Sequence, residues 1–121
     1  MKHLLVVEDN PNTLSGLMTL LDDEGYEVDG VMQGDEAVQI AEQKPVDMVL
    51  CDYNLPDTTG LQLCQKLQKI NPATVFFLTT AQDSITLTQT ASQYGVKKIF
   101  QKPINLNELF DTLLGFSARS A

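Results

Sequence analysis

Charged and hydroxyl side chains stand at the ends of four apolar runs in this sequence. Glu8 and Asp9 follow the first run, Asp52 closes "MVLCD", Thr80 follows "VFFLT", and Lys102 follows "KIFQ". A carboxylate beside an apolar core costs free energy unless it is solvated, paired or bound to a metal, so Asp52 needs a partner. Three carboxylates, a hydroxyl and an ammonium at one edge would form a small acidic pocket suited to a divalent metal ion.

The residue types in this pocket suit Mg²⁺. Mg²⁺ prefers oxygen ligands in octahedral geometry and keeps several waters, so one or two carboxylates and a backbone carbonyl are sufficient. Asp9 and Asp52 can supply the carboxylates. The loop from Pro56 to Gly60 can turn a backbone carbonyl, that of Asn54, toward the ion.

Asp52 is then the candidate nucleophile toward an electrophilic phosphorus, because a metal ion would offset the repulsion between anions. Thr80 and Lys102 would stabilise the oxygens of the transferred phosphoryl group. Each residue, taken alone, could also have a purely structural role. Glu8 and Asp9, for example, are typical of acidic residues that precede a helix and interact with its dipole. Their joint position at successive strand ends favours the functional interpretation.

The elements that must position these residues alternate along the chain. The apolar runs predict strands over residues 3–7, 26–31, 47–51, 74–79 and 98–101. Helical periods lie between them, clearest from Leu14 to Leu21 and from Leu106 to Leu113. Asn10 before a proline, and Asn105 in a capping box, predict two helix starts.

Strands as apolar as "VFFL" favour a parallel sheet that is covered on both faces. Right-handed crossovers then give a single doubly wound α/β domain. Ligands of such sheets bind at the carboxyl ends of the strands, near the point where strand order reverses. Gly25 and Gly95 are expected to close helices.

Composition narrows the function classes. The chain has 121 residues, enough for one domain, and a formal net charge of -8, which argues against nucleic-acid binding. No apolar run approaches the roughly 20 residues needed to span a bilayer, and we expect a cytoplasmic protein.

Cys51 and Cys64 lack metal-site spacing and are expected to be buried free thiols. Residues 1–121 form one domain in this interpretation, with 117–121 as a tail or the start of a linker.

Four blocks of the sequence resemble the signature blocks of the receiver domains of bacterial two-component response regulators, of the chemotaxis-receiver type. They are "VVEDN" (6–10), "VLCDYNLPDTTG" (49–60), "FLTTAQD" (77–83) and "IFQKP" (99–103), in order and with family-like spacing. The resemblance covers essentially the whole chain. It implies a flavodoxin-like three-layer sandwich of (βα)5 topology, with a parallel sheet in the order 2-1-3-4-5.

The resemblance also implies a role for each matching position. It makes Asp52 the phosphoacceptor, Glu8 and Asp9 the acidic pair that serves Mg²⁺ or Mn²⁺, Asn54 a carbonyl ligand, Thr80 the switch hydroxyl, and Lys102 the phosphoryl-binding lysine. Asn54 and Gln82 occupy positions where the family tunes autodephosphorylation.

The implied activity is regulatory rather than enzymatic action on other molecules. A sensor histidine kinase or a histidine phosphotransfer protein would supply the phosphoryl group. The face formed by the fourth helix, fifth strand and fifth helix would then change and contact a downstream output domain or protein. His3, the single histidine, opens the first strand and is not expected to be a donor.

Two features set this chain apart from the family pattern. Ile99 stands where the family usually has the Tyr or Phe that couples to the switch hydroxyl. Phe100 is not expected to replace it, because neighbouring strand side chains point to opposite faces. The fourth helix, "SITLTQTASQY", has no charged residue and three threonines, so it is expected to be mobile; the alternative is a solvated polar helix.

Two other function classes remain open from the sequence. A haloacid-dehalogenase-like phosphatase would need a second aspartate two residues after the nucleophile, where this chain has Asn54. A phosphorylation-independent interaction module of the same fold is the other alternative, and Ile99 is its sequence hint.

Overall fold

Strands and helices alternate along the computed structural model, which describes residues 2–81 and 84–119. The strands are β1 (His3–Val7), β2 (Glu27–Val31), β3 (Met48–Asp52), β4 (Val75–Thr80) and β5 (Val96–Gln101). The helices are α1 (Pro11–Asp23), α2 (Gly34–Gln43), α3 (Gly60–Ile70), α4 (Ser84–Gln93) and α5 (Leu106–Arg119). The sheet is parallel, in the order β2-β1-β3-β4-β5, which confirms the predicted fold.

The strand order brings the candidate residues to one place. β3 lies between β1 and β4, with Val7 opposite Cys51 and Asp52 opposite Thr79. The chain leaves β1 toward β2 on one side and returns to β3 on the other, so the reversal point lies between β1 and β3. The residues that follow β1 therefore lie beside Asp52, the last residue of β3.

Helices cover both faces of the sheet, and each face has its own apolar core. Alternate strand residues point to opposite faces, so Leu4 and Leu50 pack with α1 and α5, whereas Leu5 and Val49 pack with α2 and α3. The fully buried side chains include three phenylalanines, Phe76, Phe77 and Phe100. The two cores pack on opposite faces of β1, β3 and β4, and this packing positions the strand ends that carry the site.

The predicted helix ends are present. The Asn10 side-chain oxygen accepts hydrogen bonds from two N–H groups of the first turn of α1, at 3.0 and 3.1 Å. The Asn105 oxygen accepts one from the Glu108 N–H at 3.1 Å. Gly25 and Gly95 follow α1 and α4 with φ of +97° and +88°, left-handed values that favour glycine.

Several boundaries differ from the sequence prediction. β5 begins at Val96, two residues early, and α5 continues past Phe116 into the segment expected to be a tail or linker. Ser117 belongs to that last turn, and its hydroxyl donates to the Leu113 carbonyl at 2.8 Å. Ile70, the last residue of α3, is exposed.

Cys51 and Cys64 are buried free thiols, as predicted. Burial raises the pKa of Cys64 to about 11 and that of Cys51 well above its ordinary value, so both remain protonated at neutral pH. None of the described helices is long and apolar enough to cross a membrane.

Candidate functional site

Lys102 joins two of the predicted carboxylates. Its ammonium nitrogen lies 3.0 Å from Glu8 Oε1 and 3.0 Å from Asp52 Oδ2. Glu8 and Asp52 are only 3% and 8% exposed, so they need these pairings in place of solvent. The structure thus brings the ends of β1 and β3 and the segment after β5 together.

Asp9 completes an acidic cluster with Glu8 and Asp52, whose ligand oxygens all lie within 4.8 Å of one another. These residues fit a divalent cation such as Mg²⁺, because the donor atoms are all hard carboxylate oxygens. Both oxygens of Glu8 already have protein partners, Lys102 and the Asn10 N–H at 3.1 Å. Asp9 is exposed, so its carboxylate is accessible to an ion from solvent.

The electrostatics of the cluster indicate an excess of negative charge. Burial raises the pKa of Glu8, and the neighbouring Asp9 and Asp52 raise it further, while bonds from Asn10 and Lys102 oppose the shift without cancelling it. For Lys102, burial acts to lower the pKa, but the bonds to Asp52 and Glu8 outweigh it and raise the pKa. One ammonium therefore does not balance three carboxylates, and the site favours an added cation.

The loop after Asp52 is held by its own hydrogen bonds. The Tyr53 N–H donates to the Thr79 carbonyl at 2.8 Å, which ties the loop to β4. Asn54 forms an isolated bridge with Thr59, and its N–H lies 3.4 Å from Asp52 Oδ1. The predicted carbonyl ligand therefore belongs to a residue directly beside the acidic cluster.

Gly60 has no room for a side chain at the end of this loop. A Cβ there would lie 2.5 Å from Leu78 Cδ2 and 2.9 Å from the Asp52 carbonyl oxygen. Glycine therefore lets α3 begin close to the backbone of the candidate nucleophile.

Thr80 ends β4 and is 1% exposed. The Lys102 N–H donates to the Thr80 carbonyl at 2.7 Å, so the two residues predicted to bind phosphoryl oxygens are neighbours at this edge. The following peptide bond, Lys102–Pro103, is cis, a conformation that the sequence analysis did not predict. Gln82, the predicted partner of Asn54 in tuning autodephosphorylation, lies outside the described residues.

Ile99 and Phe100 lie on opposite faces of the sheet. Phe100 is buried beneath α5 with its ring 6.2 Å from that of Phe77, edge to face. Ile99 is partly buried against the core on the other face. The expectation that these two neighbouring side chains point to opposite faces is confirmed.

Asp57 is a site-adjacent residue that the sequence analysis missed. Its two carboxylate oxygens accept hydrogen bonds from Gly34 N at 2.9 Å and Asp35 N at 3.0 Å, so it caps α2 from the loop after β3. A sequence signal was present: Gln33 precedes α2 and is a poor N-cap residue, so the cap had to come from elsewhere.

The family model of the response regulator receiver domain matches residues 4–114. The chain belongs to the response regulator receiver family. Receiver domains are regulatory phosphoacceptor domains of two-component systems that bind Mg²⁺ through an acidic cluster and interact with histidine kinases and output domains.

Similar proteins agree with this assignment. The transcriptional regulatory protein GlrR of Escherichia coli K12 is 32% identical over 111 residues, which are 92% of this receiver domain and 25% of that protein. The CheY-like response regulator receiver domain protein from Methanospirillum hungatei JF-1 superimposes with a TM-score of 0.89 at 26% identity, covering 95% of this chain and 92% of that chain.

A response regulator protein from Burkholderia pseudomallei, crystallised with a phosphorylated aspartic acid, a calcium ion and citrate, has a TM-score of 0.84 at 26% identity. The match covers 91% of this receiver domain and 65% of that chain. The receiver domain spans a quarter to a half of the length of curated relatives such as GlrR (25%) and TcrA of Mycobacterium tuberculosis (46%).

Proposed function

We propose that this receiver domain accepts a phosphoryl group on Asp52 from the phosphohistidine of a sensor histidine kinase or a histidine phosphotransfer protein. The observation that carries the proposal is the pairing of Lys102 with both Asp52 and Glu8 beside the exposed carboxylate of Asp9. A nucleophile, a fixed cation and a set of metal-ligating oxygens then share one edge of the sheet.

The transfer has a simple electronic course. A carboxylate oxygen of Asp52 attacks the phosphorus, the P–N bond breaks, and its electron pair returns to the imidazole nitrogen of the donor. The Lys102 ammonium and the Thr80 hydroxyl stabilise the oxygens of the transferred group. Mg²⁺ or Mn²⁺, when held by Glu8, Asp9, Asp52 and the Asn54 carbonyl, supplies the positive charge that offsets repulsion between the anions.

The Burkholderia pseudomallei protein supports this proposal, because its structure contains a phosphorylated aspartic acid and a calcium ion and its fold matches this one. A divalent cation and an aspartyl phosphate therefore occur together in a similar protein. In this chain Asp52 would carry the phosphoryl group, and Asp52 with its acidic neighbours would bind the cation.

The output is a changed surface rather than a released product. We assign the signal to the α4-β5-α5 face, where a downstream output domain or protein binds. The switch consists of Thr80, at the end of β4, and Ile99, in β5. Self-catalysed phosphorylation and slow autodephosphorylation, tuned by Asn54 and Gln82, are the only reactions of the domain.

Residues 1–121 act as one receiver domain in the cytoplasm, and direct nucleic-acid binding is not part of their role.

The test is intact-mass analysis after incubation with phosphoramidate or acetyl phosphate, with and without Mg²⁺. Phosphoramidate is informative because it offers the same P–N bond as phosphohistidine. We expect one Mg²⁺-dependent phosphoryl adduct that is absent in Asp52→Ala and present in Asp23→Ala, a control at an exposed aspartate of α1. If no adduct forms and a fluoroberyllate mimic also fails to bind, the phosphorylation-independent interaction module replaces this proposal.

A further inference from the structure

Asp57 links the phosphoacceptor loop to the start of α2. Each of its oxygens accepts one backbone hydrogen bond, from Gly34 at 2.9 Å and Asp35 at 3.0 Å. Gln33 makes no side-chain cap bond, so Asp57 satisfies N–H groups that a local N-cap normally serves. The Gly34 N–H holds the pKa of Asp57 below its ordinary value, so the carboxylate stays charged at the positive end of the helix dipole.

Side-chain packing reinforces this link. A Cβ on Gly34 would lie 2.5 Å from Thr58 Cγ2 and 3.5 Å from the Asp57 carboxylate oxygens. The first residue of α2 therefore packs directly on the loop, and a movement of Thr58 must displace it or open a gap.

The loop itself is closed by short-range bonds. They are Gly60 N to the Tyr53 carbonyl at 2.6 Å, Leu55 N to the Thr58 carbonyl at 3.1 Å, and the bridge between Asn54 and Thr59. Asn54 lies beside Asp52, Asp57 bonds the start of α2, and both belong to this closed loop. Because the loop is closed by these bonds, we expect a displacement of one residue to move the other.

We propose that Asp57 is a positioning residue that couples the state of the Asp52 site to the N-terminus of α2. Its two bonds order the loop before the metal binds, so that the Asn54 carbonyl is already in place. In return, an occupied site holds the loop and strengthens the cap on α2. This inference rests on the proposed function, since it assigns Asn54 to the metal site.

Reciprocity makes the coupling quantitative. If the intact cap increases Mg²⁺ affinity by some factor, then bound Mg²⁺ must reduce the opening of the cap by the same factor. Metal affinity and the hydrogen exchange of the Gly34 and Asp35 amides are thus two measurements of the same coupling free energy. A merely structural role for Asp57 would change stability and leave these two measurements unrelated.

The experiment follows Mg²⁺ binding by the amide shifts of Asp9 and Asn54, and hydrogen exchange at Gly34 and Asp35. We expect Asp57→Ala to raise the Mg²⁺ dissociation constant about fivefold or more, with Asp57→Asn in between because it keeps one acceptor oxygen. In the wild type, saturating Mg²⁺ should slow exchange at the two amides by a similar factor. Glu36→Gln is the control, because it removes a charge from the first turn of α2, and the Glu36 side chain accepts a local bond from Met32 N.

The outcomes separate the two proposals. Equal Mg²⁺ affinity in the wild type and Asp57→Ala, with exchange at both amides unaffected by Mg²⁺, overturns the coupling and leaves the metal site intact. If no site amide of the wild type responds to Mg²⁺, the metal site and the coupling both fail. If Asp57→Ala does not fold, Asp57→Asn carries the comparison by the same criteria.

Discussion

The Lys102 ammonium lies 3.0 Å from the Asp52 carboxylate, across 50 positions of sequence, and it also bonds Glu8, a second member of the acidic cluster. A divalent ion bound as proposed above would share these carboxylates with Lys102. The arrangement is consistent with two tasks for Lys102, to neutralise the cluster before the metal arrives and to stabilise phosphoryl oxygens afterwards.

If Lys102 has both tasks, Lys102→Met should strengthen Mg²⁺ binding and slow phosphorylation. Without the ammonium, Mg²⁺ should bind about tenfold more tightly, because a competing cation has been removed from two buried carboxylates. Phosphorylation by acetyl phosphate should slow by at least about tenfold, because the phosphoryl oxygens lose a charged donor. Calorimetric titration and intact-mass time courses measure the two effects. Slower phosphorylation with weaker Mg²⁺ binding would show that Lys102 does not compete with the metal.

Glu8→Gln should stabilise the protein at pH 7 while it weakens Mg²⁺ binding. The pKa of Glu8 is raised above 4.5 in the folded state. Ionised Glu8 therefore destabilises the folded protein at any pH above that raised pKa. That cost disappears as the pH falls through the folded pKa to below 4.5. Melting temperatures without metal should therefore be higher for the variant at pH 7, and the difference should shrink toward pH 4. If the difference in melting temperature grew as the pH fell, it would contradict the raised pKa of Glu8.

Gly60→Ala tests the close packing behind Asp52. The added Cβ would lie 2.5 Å from Leu78 Cδ2 and 2.9 Å from the Asp52 carbonyl oxygen, and we expect a loss of about 1–3 kcal/mol. Gly16→Ala is the matched control, because it lies inside α1 with nothing within 4 Å of its Cβ. It should gain about 0.5–1 kcal/mol. Urea unfolding compares the two, and equal effects would show that crowding at Gly60 is unimportant.

Phe100→Ala and Ile99→Ala should differ because the two side chains occupy different faces. Phe100 is 2% exposed and packs edge to face on Phe77, so its truncation should cost about 3–5 kcal/mol. Ile99 is partly buried, and its truncation should cost less. Denaturant unfolding measures both free energies. A larger loss at Ile99 would mean that Ile99, not Phe100, contributes more to the core.

Amide exchange should be faster in α4 than in α5. Among the described side chains of α4, residues 87–93, only Ala91 is buried, whereas Leu109 and Leu113 of α5 are fully buried. α4 also has no charged residue to form stabilising pairs along its surface. Residue-resolved exchange measures the difference, and protection over residues 84–94 equal to that of α5 would exclude a mobile helix.

Local patterns in the sequence determined the strands, the helices and the caps. Asn10 and Asn105 cap helices whose first turns follow them directly, and Asp52 ends a strand whose apolar residues precede it. Such features depend on residues within a few positions of each other, so a single sequence contains all the information needed. The order of blocks was also enough to indicate the family and its sheet.

Only the tertiary structure decided which distant groups meet. Lys102 bonds two carboxylates, one of them 94 positions away, and Asp57 caps a helix that begins 23 positions earlier. The raised pKa of Glu8 depends likewise on burial and on Lys102 and Asp52, which come from distant parts of the chain. These relationships arise from the packing of strands and loops, and no periodicity along the chain encodes which donor will face which acceptor.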